Sequence, residues 1–165
     1  MTIGQNSVGA MFTTPETLGA AVNVYPSFEL GTRMKGGSGT EWVYVQASGA
    51  ITGAGYVVTI DETYQAAMLS TSNDAGGDLV GVAGAAFADN DYGWVQVLGP
   101  CVIRVAASCA ANVGINTTGT AGQLDDDGTS GSFDISGMVL TTANGGAAGT
   151  AAGMLNYPQQ ALAAN

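Results

Sequence analysis

The sequence contains no histidine, and only three of its residues, Arg33, Lys35 and Arg104, carry positive charge. Each shortage removes a class of function. Histidine is the commonest general acid–base at neutral pH, so Ser-His-Asp and Cys-His nucleophilic arrangements are ruled out. The 13 acidic residues leave a net charge of −10. Nucleic-acid backbones are held by several Lys or Arg side chains that displace condensed counterions. This chain would be repelled by DNA, by RNA and by an anionic membrane surface. Two cysteines, Cys101 and Cys109, are too few for a disulfide framework. They read as small buried hydrophobes in a reduced compartment. Without histidine or a second cysteine pair, a structural zinc has no ligand set. The N-terminal stretch MTIGQNSVGAMFTTPETLGAA has neither the basic nor the apolar part of a signal peptide. No apolar run reaches the roughly 18 residues of a membrane-spanning helix. The expectation is synthesis and folding in a cytoplasm, without secretion.

What remains is apolar and glycine-rich. Hydrophobic residues make up 46% of the chain and charged ones 10%, against roughly 25% charged in an ordinary soluble domain. Much of the apolar share is Ala and Val, punctuated by 26 glycines. That favours many short strands joined by turns over a helical bundle, and argues against a disordered chain.

Residues 1–30 show neither a helical nor a strand period. Their apolar anchors, among them Met11, Phe12, Val24, Tyr25 and Phe28, stand among Gly, Thr, Asn and Pro. Such a segment cannot bury its own hydrophobes, so it reads as an extended arm that either packs over the domain or drapes on a neighbour. A helical turn at Pro15–Ala21 is an option, with Thr14 as cap.

A body of residues 31–165 follows. In EWVYVQA, Trp42 and Tyr44 face one way and Val43 and Val45 the other. The glycine-rich SGAITGAG predicts a hairpin into YVVTIDE. TYQAAMLSTSN fits a strand or the start of a short helix. LVGVAGAAFA reads as a strand of small residues packed close to another backbone. In AFADNDYGWVQVLGP, Asp89–Asp91 are turn chemistry. Trp94 and Gln96 then share a face, and Gly99-Pro100 is expected to end the strand. CVIRVAAS places Cys101, Ile103 and Val105 inward and Arg104 outward. NGGAAGTAAGM predicts a loop near residues 144–153, and LNYPQQALAAN a final strand or docked end. The whole predicts an all-β fold, a small β-barrel or sandwich of about eight or nine short strands.

Candidate chemistry is sparse. Asp125, Asp126 and Asp127 precede Gly128, yet they lack the alternating spacing and closing Glu of a calcium loop. They read as an exposed acidic loop, and no metal or cofactor is expected. The glycine-rich runs lack the Gly-Lys-Ser/Thr ending of a phosphate loop. Trp42, Tyr44, Tyr92 and Trp94 could form a carbohydrate platform, but aromatics on strands more commonly build a core or a subunit seam. No enzyme class is supported.

The run Glu41–Asp127, most distinctively ADNDYGW through AASCA, resembles small proteins of tailed bacteriophages, and TAGQLDDDGTSG…ISGMVLTTANGG extends the likeness to Gly146. These are head decoration, or capsid cement, proteins that coat the outer surface of the mature head. The resemblance implies a β-barrel or β-tulip domain that binds the major capsid protein after expansion and clamps it against internal DNA pressure. It implies a homo-oligomer, a trimer before a dimer, and an arm reaching onto neighbouring subunits. On that reading Met11, Phe12, Val24, Tyr25 and Phe28 of the arm, with Trp42, Tyr44, Trp94 and Tyr157, are the candidate interface residues. The alternative is a tail, fibre or head-spike protein touching the host surface.

Overall fold

The computed structural model describes residues 6–7, 10–18, 25–73, 76–128 and 130–161. Two short strands, β1 (Asn6–Ser7) and β2 (Ala10–Met11), pair with each other in the arm. The body opens with β3 (Arg33–Lys35) and β4 (Glu41–Ala47), then β5 (Val57–Ile60), β6 (Gln65–Met68) and β7 (Leu79–Ala83). The long β8 (Tyr92–Val105) is followed by the short β9 (Asn116–Thr117) and β10 (Leu124–Asp125). The last two are β11 (Ile135–Leu140) and β12 (Gly149–Gln160). The fold is all-β, as the turn-punctuated sequence predicts. The strands beyond the expected eight or nine are two-residue ladders, too short to show a period.

The pairing closes on itself. β8 pairs with β4, β4 runs parallel to β6, β6 pairs with β5, β5 with β7, and β7 returns to β8. Inside this ring lie Val43 and Val45 of β4, Val58 and Ile60 of β5, Ala66 of β6, Ala83 of β7, and Val95 and Val97 of β8. The opposite faces of β5 and β7 carry Val57, Val80 and Val82. These join a second cluster with Ile103 and Val105 of β8, Leu124 of β10, Leu140 of β11 and Leu155 of β12. The opposite face of β4 and the first half of β8 holds a third, aromatic cluster. β4, β5, β7 and the first half of β8 are therefore buried on both sides, and so their sequences are nearly continuously apolar rather than half polar.

Four local expectations are corrected. The Gly-rich loop after β4 does not form a hairpin with β5. Ile51 instead bridges Phe87, and the Gly55 N–H donates to the Ala83 carbonyl at 2.9 Å, so the loop crosses to β7 and its turn. Gly99-Pro100 does not end its strand. Gly99 takes φ +91°, and a Cβ there would lie 2.8 Å from the Gly39 carbonyl oxygen, so only glycine fits the kink. The Gln96 carboxamide donates to the carbonyls of Leu98 and Pro100 at 3.0 and 2.9 Å and carries the strand across. The Gly/Ala-rich tail is a loop only up to Ala148, since β12 begins at Gly149 and pairs with β8 from Gly149↔Val105 to Asn156↔Leu98. Small residues are needed there because β12 lies close-packed: a Cβ on Gly153 would meet Ile103 Cδ1 at 2.4 Å. Finally, the described part of Pro15–Ala21 is extended, with Glu16 bridging Tyr92. TYQAAM resolves as the strand β6 and not a helix.

Candidate interaction surface

Phe12, Glu16 and Phe28 of the arm lie on their own domain. Phe12 stacks on Trp42, centroids 4.9 Å apart and planes 3° from parallel, and meets Trp94 edge-on at 5.3 Å. Phe28 sets its edge against Tyr44 at 5.4 Å and Trp94 at 5.1 Å. Edge and offset arrangements of this kind are the favoured ones for aromatic quadrupoles. Backbone pairing fixes the arm as well: the Glu16 N–H donates to the Tyr92 carbonyl at 2.6 Å and the Tyr92 N–H to the Glu16 carbonyl at 2.8 Å.

The Glu16 carboxylate is the latch. It accepts the Tyr44 hydroxyl at 2.9 Å, and the N–H and hydroxyl of Ser27 at 3.1 and 2.8 Å. It thereby ties the arm segments 10–18 and 25–30 to β4. Burial, reinforced by the Glu16 carboxylate, holds the Tyr44 phenol well above its usual range.

Of the nine candidate interface residues, Phe12, Trp42, Tyr44 and Trp94 are therefore core residues of this chain, 3% exposed or less. Phe28 is half-buried on the same cluster. Met11, Tyr25 and Tyr157 are open to solvent, at 58%, 82% and 40% exposure. The Tyr157 hydroxyl donates to Glu41 at 3.0 Å, and Arg33 sits over its ring at 5.7 Å while reaching Glu41 at 3.3 Å. Val24 falls outside the described residues.

A second surface, on the far half of β8, was not singled out from sequence. Past the kink, Pro100 and Val102 face solvent, and Arg104 lies half-exposed with its guanidinium 5.8 Å from the Tyr56 ring. Directly opposite on β12 stand Met154, Ala152 and Thr150, and Val139 of β11 pairs with Met154. Val102 is 53% exposed and Met154 43%. A cleft of about 400 Å³ marks the junction with the arm-covered half, lined by Trp42 and Gln96 on one side and Pro100 and Val102 on the other. One signal was legible: with Ile103 and Val105 inward, Val102 has to face out. Met154 was hidden in the low-complexity tail.

Several groups able to do chemistry are engaged inside the fold. Asp91, only 6% exposed, accepts the Thr17 hydroxyl at 2.6 Å and the Ala88 N–H at 2.7 Å, so it braces its turn rather than being a solvated turn residue. Asp61 accepts the Thr63 N–H and hydroxyl and the Gln65 N–H at 2.7–2.9 Å. Partial burial works against its charge, but these donors outweigh it and lower its pKa. Cys109 is buried within 4.8 Å of Asp125 and Asp126 oxygens. Burial, with the Asp126 charge added, pushes its thiol up to about 11. Burial pushes Cys101 up to about 12. Protonated thiols are poor nucleophiles and poor metal ligands. Calcium would need six to eight oxygens, and this group offers only two carboxylates. No protein-family model matches this chain, and no curated protein matches it either.

Proposed function

We propose that this chain is a structural virion protein, a decoration or cement protein that binds the major capsid protein on the outer surface of an expanded phage head and stabilises it against internal DNA pressure. The observation that supports the reading is a tightly paired scaffold in which several of the described reactive groups are committed to the fold. The pairing circuit is closed and packed on its inner side, while Asp61, Asp91 and Glu16 use acceptors within the fold and the two thiols stay protonated. Such a molecule offers surface and rigidity rather than catalysis. The net charge of −10 supports an outward position, where like charge keeps particles apart, over an inward one against DNA. The resemblance of Glu41–Gly146 to capsid cement proteins points the same way.

A cement protein makes several small contacts, each weak alone. Once one has formed, the next is effectively intramolecular, so a modest area per shell subunit suffices for tight coating. The test is copy number in purified particles of the encoding phage, by quantitative mass spectrometry against the major shell protein. A ratio near one, or a fixed simple fraction, is expected. A handful of copies per particle would move the protein to a tail or vertex, and absence from the particle would reject a virion role.

A further inference from the structure

The open half of β8 belongs to a solvent-facing sheet surface whose own strands carry no carboxylate; the acid at its rim is Glu41, which pairs with Leu98 and is held by Tyr157 and Arg33. β8, β11 and β12 contain no Asp or Glu, in a chain that carries 13 of them. Their solvent face presents Pro100, Val102, Val139, Ala152 and Met154, with Arg104 at one end and the uncharged Thr150 and Asn156 at the rim. An apolar centre depleted of charge, edged by neutral polar groups, is the composition of a protein–protein contact core.

We propose that this sheet face is a contact between two copies of this chain. The charge distribution selects that occupant. Two molecules of charge −10 repel in most orientations, and this face against its own copy brings no carboxylate of β8, β11 or β12 into the contact, while Glu41 at the Asn156 rim is already engaged by Tyr157 and Arg33. The apolar stripe is its own complement, as a two-fold contact requires. Arg104, half-exposed at the end of the stripe with its guanidinium over the Tyr56 ring, keeps its N–H donors in water at the edge of the contact. The cleft of about 400 Å³ beside Pro100 and Val102 has room for an apolar side chain from the second copy. Three strands at ~4.8 Å spacing, over about seven residues at ~3.3 Å each, cover roughly 300 Å² per copy. That is below the ~800 Å² per partner of a standard stable interface, so the pair is weak.

Sedimentation of the full-length protein from 10 µM to 1 mM, at 50 and 500 mM NaCl, tests this without any capsid present. A monomer–dimer equilibrium that tightens several-fold at high salt is expected, because salt screens the repulsion and leaves the apolar contact. Val102→Glu and Met154→Glu should each abolish the dimer at 1 mM with an unchanged thermal melt. Ala88→Glu, which adds the same charge on the exposed turn before β8, should leave it intact. A monomer up to 1 mM at both salt concentrations overturns the proposal. So does a dimer indifferent to the two face substitutions, or a three-copy assembly, since a face that meets its own copy closes at two.

Discussion

Along β8, Trp94 and Gln96 in the first half are 2% and 6% exposed, whereas Val102 in the second half is 53% exposed. The strand is continuous, and its inner side is packed in both halves. The difference comes from what lies outside. Over the first half the arm brings Phe12 and Phe28 against Trp42, Tyr44 and Trp94. Over the second half nothing among the described residues does the same. A strand sequence therefore reports that a face is apolar, but not whether the chain itself covers it.

The largest effect is expected from uncovering the first half. Phe12 fills the space between Trp42 and Trp94, so Phe12→Ala removes a fully buried ring and should cost about 3–5 kcal/mol in urea unfolding. Deleting residues 1–28 should cost more, leaving Trp42, Tyr44 and Trp94 exposed to aggregate. A truncated protein with an unchanged melt would mean that the arm is dispensable to the fold and free to act elsewhere.

Next is the latch. Glu16→Ala removes the acceptor of the Tyr44 hydroxyl and of two Ser27 donors, and about 1–2 kcal/mol is expected because the site is partly open to water. Ser27→Ala should cost less than Glu16→Ala, since it leaves the Tyr44 bond in place. Equal losses would place the latch in Ser27 alone and detach β4 from the account.

Alkaline pH probes the two thiols, Cys109 buried and Cys101 half-buried where it lines the junction between the two halves of β8. In the unfolded chain both ionise near ~8.5, whereas in the fold Cys101 is held up to about 12 and Cys109 up to about 11. Above pH ~8.5 the unfolded state releases protons that the folded state keeps, so stability must fall as pH rises toward 11. The Tyr44 phenol, also raised, acts in the same direction at the upper end of that range. Melting temperature should decline from pH 8 to 10.5, and the Cys101→Ala, Cys109→Ala double variant should flatten the decline. An equally steep decline in the double variant would assign it to the phenols.

How much was legible follows from where the information is held. Alternation in EWVYVQA and CVIRVAAS located β4 and the far half of β8, because strand period is a local property. Pairing partners were not local: the loop after β4 looked like a hairpin, and only the Ile51–Phe87 bridge shows that it crosses to another turn. Gly99-Pro100 misled for a related reason. The missing Pro100 N–H does end many strands, but here the Gln96 side chain, four residues away, satisfies the carbonyls on both sides of the kink. The aromatic residues were legible as a group but not in role. Trp42, Tyr44 and Trp94 needed a lid to be core, and the lid is an arm whose own sequence has no period. The Gly/Ala tail concealed β12 because close packing against Ile103 demands side chains too small to register as a pattern.

The smallest effect is expected on the open half, and it sharpens the comparison most. Val102 and Trp94 lie on one strand, and each is an apolar residue that a sequence-based reading would bury. Val102→Ser should change monomer stability by no more than about 0.5 kcal/mol, since little of its surface is removed from water on folding. Trp94→Ala, in the arm-covered half, should cost about 3–5 kcal/mol. The ratio of the two losses measures how much of the burial along β8 is supplied by the arm rather than by the strand. A large loss for Val102→Ser at concentrations where the chain is monomeric would mean that the second half is also covered from within the chain. The two halves would then be alike.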